Sequence, residues 1–143
     1  MRYSRARRLV VTSLQAIAIF AIAACSSSTE PGITTATVAG TYTLKTVDGL
    51  VLPAPAKDGT GAIAGAFTAG TVTLTTANTF TSTLSYTLTN GTTGSSPNSG
   101  SYSISGSTLT FTPSGGGSAV TAAFSGGNTL TISSNGQAEV FTK

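Results

Sequence analysis

The stretch TFTSTLSYTLT, residues 79 to 89, alternates without a break: odd positions are Thr or Ser, and even positions read Phe80, Ser82, Leu84, Tyr86 and Leu88. A period of two puts one set of side chains on each face of a β-strand. The same alternation, carried by β-branched and aromatic residues, recurs from about residue 40 onward, and no helical period appears after Cys25. This is an all-β pattern. It predicts eight strands at about 41–48, 62–75, 79–89, 100–105, 108–113, 118–125, 129–133 and 137–142.

Turn chemistry sets the pairings. Gly106-Ser107 suits a two-residue type II′ turn that opposes Ile104 to Leu109 and Tyr102 to Phe111. Gly126-Gly127-Asn128 opposes Phe124 to Leu130 and Ala122 to Ile132. Thr76-Ala77-Asn78 opposes Leu74 to Phe80, with Asn78 in the left-handed region. At the last hairpin, a turn over Ser134-Asn135-Gly136 opposes Ile132 to Ala138 and Leu130 to Val140. The competing Asn135-Gly136 turn sets Ile132 against Glu139, which the apolar pattern disfavours. The second strand changes its buried face between Phe67 and Val72, and Gly70 is the expected bulge.

Consecutive hairpins favour an up-and-down meander. With charged residues only 8% of the chain, exposed strand edges invite association, and closure into a single antiparallel eight-stranded barrel removes them. The connections at 76–78, 106–107 and 126–128 are tight and fall at one end. Those at 49–61, 90–99 and 114–117 are longer and rim the other, with Leu50, Val51, Leu52, Pro53 and Pro55 as a lid. A barrel of this size is either filled by side chains or holds one small ligand. Ser82, Ala122 and Ala138 lighten the inward face, while inward Tyr42, Tyr86 and Tyr102 each need a hydroxyl partner or a wet mouth. The candidate ligand contacts are therefore Tyr42, Leu52, Phe80, Ser82, Leu84, Tyr86, Tyr102 and Ala122.

The first residues are of another kind. Arg2, Arg5, Arg7 and Arg8 precede an apolar run that ends at Cys25. A basic segment, about 15 apolar residues and a small-residue end form a secretory signal peptide. Ile22-Ala23-Ala24-Cys25 resembles the bacterial lipobox. That resemblance implies acylation of the Cys25 thiol, removal of the signal helix (1–24) and anchoring to the cell envelope. Ser26, rather than Asp, after the cysteine resembles the outer-membrane sorting pattern. Residues 25–39 then read as the lipidated cysteine and a polar tether, and 40–143 as the barrel domain.

Cleavage reverses the charge argument. The isoelectric point of 9.4 belongs to the precursor. The mature part has Lys45, Lys57 and Lys143 against Glu30, Asp48, Asp58 and Glu139, and no Arg, so nucleic acid is not an expected partner. The expected partners are the membrane, through Cys25, and a small apolar ligand, with the protein a monomer. The chain has no His and a single Cys, which excludes His-containing triads and an internal disulfide. Asp48-Gly49 and Asp58-Gly59 are turn signals, and no carboxylates are spaced as an acid/base couple. No catalytic residue, metal site or cofactor is expected. Thr71, Thr73 and Thr75 beside Thr79, Thr81 and Thr83 form an outer hydroxyl ladder that keeps the wet face soluble.

GTYTLKTVDGLVLP, GTVTLTTANTFTSTLSYTLT, GSYSISGSTLTFTPSGG and NTLTISSNGQAEVFTK together resemble the small bacterial lipocalin-like lipoproteins. Gly40-Thr41-Tyr42 stands where that family has Gly-x-Trp with a basic residue packed over it. The resemblance implies a calycin-type barrel; the lack of catalytic residues leads to the separate expectation that the protein is not an enzyme. Two functions follow: a binding module for a small apolar ligand, or a structural or interaction module with a solid core.

Overall fold

A computed structural model describes residues 32–143; the expected signal peptide and Cys25 lie outside the described residues. One helical turn, α1 (Thr35–Val38), precedes the strands. These are β1 (Gly40–Val47), β2 (Leu50–Val51), β3 (Ala54–Lys57), β4 (Ile63–Leu74) and β5 (Thr79–Leu88). They continue as β6 (Thr93–Ser105), β7 (Thr108–Pro113), β8 (Val120–Ser125), β9 (Thr129–Ser134) and β10 (Gln137–Thr142). β4 to β10 follow one another as antiparallel neighbours, and β1 joins β10 to β4, closing an eight-stranded barrel. β2 and β3 are short additions, on β1 and β4 respectively.

Three hairpins pair as their turns predict. Ile104 opposes Leu109 and Tyr102 opposes Phe111. Phe124 opposes Leu130 and Ala122 opposes Ile132. Leu74 opposes Phe80, and Asn78 has φ 61°.

The last hairpin takes the register that the apolar pattern disfavours. Asn135 and Gly136 both have positive φ, 49° and 71°, which makes a two-residue type I′ turn. Ile132 therefore opposes Glu139, and Leu130 opposes Phe141. Gln137, Glu139 and Phe141 are buried, while Ala138 and Val140, expected inward, alternate with them. The turn wins because its twist matches that of the strands it joins.

Two further expectations change. Residues 90–99 are not a long loop: β6 starts at Thr93, and Thr93–Ser99 pair with Thr87–Thr81 of β5. β7 pairs only with Gly100–Ser105, so Pro97 lies on an unpaired edge where a missing N–H costs nothing. The chain also joins the fold before Gly40. Val38 is fully buried and Ile33 packs against the core, so the tether gives way to packed chain from residue 33.

Bulges keep the apolar residues inside. A register shift between Leu44 and Thr46 lets Leu44 and Val47 both face inward. In β4 the shift falls between Phe67 and Ala69, just ahead of Gly70. Gly70 serves a close approach instead: a Cβ there would lie 2.8 Å from Leu84 Cδ2 and 2.9 Å from Leu44 Cβ. Outside, the threonines pair across strands, with Thr41 and Thr73 hydroxyls 3.0 Å apart and those of Thr75 and Thr79 2.7 Å apart.

The tight-turn end is sealed. Tyr42 Oη donates to the Val38 carbonyl at 2.6 Å, and Tyr102 Oη to the Thr75 carbonyl at 2.6 Å. Lys143 Nζ donates to the Thr37 and Ala39 carbonyls, at 2.9 and 3.1 Å, and stands 5.3 Å from the Tyr42 ring centroid. Lys143 is thus the basic residue packed on the tyrosine of Gly40-Thr41-Tyr42. At the other end β3 is held down by Gln137. Its Oε1 accepts from the Lys57 amide (2.7 Å), and its Nε2 donates to the Pro55 carbonyl (2.9 Å).

Candidate functional site

A cavity of about 120 Å³ lies in the half of the barrel opposite the sealed end. Val72, Phe80, Phe111, Ile132 and Phe141 form its apolar wall, and Ser82, Asn98, Ser134 and Glu139 its polar groups. The alternation of β5, β6 and β9 places Phe80, Ser82, Asn98, Ile132 and Ser134 there. Asn98 is exposed and Pro113, Val120 and Ser134 are half-buried, so the cavity meets solvent on their side.

Glu139 is only 4% exposed, and its carboxyl makes no hydrogen bond to any described residue. Burial pushes its pKa from 4.5 up to about 7. The other acidic side chains among the described residues, Asp48 and Asp58, sit on the surface in turn roles. Asp48 is held below its usual value by the Ala138 amide and then by Lys57, whose Nζ is 3.1 Å away. Asp58 is lowered by the Thr60 hydroxyl and amide, in a turn of its own. Among the described residues, no three His, Cys, Asp or Glu side chains converge as metal ligands. No helix among them is long and apolar enough to cross a membrane.

With the barrel, its sealed base and this cavity in place, comparison adds one finding. A family model described as a lipocalin-like domain matches residues 38–135, more than half of the chain. The chain belongs to the lipocalin-like domain family. No curated protein and no solved structure matches it. The matched segment of the lipocalin-like domain begins at Val38, the buried residue of α1, and stops before β10.

Of the residues singled out from sequence, the lipocalin-like domain brings Phe80, Ser82 and Leu84 to the cavity. Tyr42 and Tyr102 instead seal the opposite end, where burial raises the Tyr42 hydroxyl to about 12, with Tyr102 adding to the shift, and raises Tyr102 too. Tyr86 lies across β6 on Gly94, where a Cβ would fall 2.8 Å from its Oη. Ala122 is packed in the core, and Leu52 packs against the core without lining the cavity. Glu139, Asn98 and Ser134 escaped sequence reasoning. Asn135-Gly136 was the signal for Glu139, because the turn type decides which face of β10 looks inward. Asn98 carries no such signal, because the polar run 90–99 resembles a loop in sequence.

Proposed function

We propose that this protein is a monomeric protein of the bacterial cell envelope, lipid-anchored through Cys25, whose barrel holds a small ligand with an apolar body. In this reading it is a carrier or sensor and not an enzyme, and it has no nucleic-acid partner. The observation that supports it is the cavity beneath the open end, with an apolar wall and a few polar groups, as ligand sites have. Its size limits the occupant. A 120 Å³ space is close to the 150 Å³ or so that takes up benzene, and well short of the 300 Å³ or more of drug-sized sites. A single ring or short branched chain suits it; a whole acyl lipid does not.

Native mass spectrometry of the mature chain carrying Cys25→Ala, before and after exposure to an envelope extract, tests this. A reproducible small adduct is expected, lost on Ser82→Leu, which fills the cavity from its wall. Ala122→Leu, in packed core, is expected to cost about 1–3 kcal/mol of stability instead. A bare mass in both runs would leave the barrel as a structural or interaction module. In cells, Cys25→Ala is expected to release the protein from membranes, and unchanged partitioning would refute the anchor.

A further inference from the structure

Two polar side chains are buried among the described residues, Gln137 and Glu139, and they are treated differently. Gln137 spends its amide on β3. Glu139, two residues on and facing the same way, has no hydrogen-bond partner among the described residues. No buried side-chain atom here is both sealed from solvent and unpaired, so the unpaired carboxyl keeps its access through the cavity it lines. A buried carboxyl is ordinarily paired, since desolvation without a partner is costly.

We propose that the cavity takes a small protonated amine with a compact apolar body, its ammonium pairing with the Glu139 carboxylate. This rests on the cavity being a binding site, as argued above. The body packs on Val72, Phe80, Phe111 and Phe141, while the Ser82 and Ser134 hydroxyls stand beside the head group as acceptors. An anion would meet a like charge, and a purely apolar guest would leave the carboxyl unsolvated. A cation supplies a charge-assisted hydrogen bond where the dielectric is low.

No side chain among the described residues plays that part. β1 opposes Val47 to Glu139 and β9 opposes Ile132. β4 to β8 present Val72, Leu84, Asn98, Phe111 and Val120, and none of these titrates. Lys57 is paired with Asp48, Lys143 is at the sealed end, and Lys45 is exposed on the outer face. The raised pKa agrees: the site holds its proton until a cation arrives, and binding strengthens as pH rises through about 7.

The test uses benzylamine and its uncharged counterpart benzyl alcohol, titrated into the protein and followed by amide chemical shifts. At pH 8 the amine is expected to bind about tenfold tighter or better. That preference should shrink at pH 5, where Glu139 is protonated, and vanish in Glu139→Gln. The pH arm needs no mutation and so stands even where the variant misfolds. Equal binding of both compounds at pH 8 would overturn the amine inference and leave the cavity reading intact. A preference that survives Glu139→Gln would overturn the role of Glu139. No binding of either compound would overturn both readings.

Discussion

A carboxyl set in an apolar wall makes stability depend on pH in a direction opposite to that of most acids. Glu139 is protonated in both folded and unfolded chains below its ordinary value of 4.5, so it costs nothing there. Between 4.5 and about 7 the unfolded chain releases the proton and the folded one retains it. The penalty grows across that window and is complete above it, reaching about 3 kcal/mol. Asp48 and Asp58, both lowered, run the other way: they stabilise at neutral pH and lose that contribution in acid. Denaturant titrations of the wild type and Glu139→Gln isolate the glutamate by difference. The variant is expected to be the more stable by about 2–3 kcal/mol at pH 8 and equal near pH 4. A constant difference at all pH values would mean that the carboxyl is solvated in the folded chain. At this scale sequence was a poor guide. An acid inside a barrel breaks the alternation by which inside and outside are told apart. Tyr42 and Tyr102 find the hydroxyl partners that sequence asks of them in the Val38 and Thr75 carbonyls at the sealed end, not at a wet mouth.

Strands and turns were far more legible, because a turn is a local chemical fact. Gly106-Ser107, Thr76-Ala77-Asn78 and Gly126-Gly127-Asn128 each fix a register that the apolar partners confirm. At Asn135-Gly136 the two signals conflict, and the turn prevails. The first half of β6 is not legible in the sequence because Thr93–Ser99 carries no apolar residue except Pro97, and the strand is held there by β5 alone. The bulge of β4 falls between Phe67 and Ala69, beside Gly70 and not at it. The lack of a side chain at Gly70 admits Leu44 and Leu84 to the same space, so Gly70→Ala is expected to cost about 1–3 kcal/mol through overpacking. Thermal unfolding would show it, and a trimmed neighbour, Leu84→Val, should recover part of the loss. An unchanged melting temperature in Gly70→Ala would mean that the two leucines move aside freely.

The barrel as a whole was legible from its hairpins: all-β content, closure, and the difference between a tight-turn end and an open one. Whether the interior was solid or hollow was not, since that depends on how seven or eight inward rows meet in space rather than on any one row. The answer is mixed. The half around Tyr42, Leu109, Phe124 and Leu130 is packed, and the half around Ser82 and Glu139 is not.

The chain enters through α1, at the end that Tyr42 and Lys143 seal, and the cavity opens beside Asn98 and Pro113 at the other. In the proposed function, an acyl anchor on Cys25, eight residues before Ile33 in the sequence, would hold the barrel by its foot like a cup on a stem. The rim would then face the aqueous compartment, and cargo would arrive from solution rather than sideways out of the bilayer. Benzylamine should accordingly bind the acylated protein in vesicles as well as it binds the unanchored form, and a loss on reconstitution would mean that the rim lies against lipid.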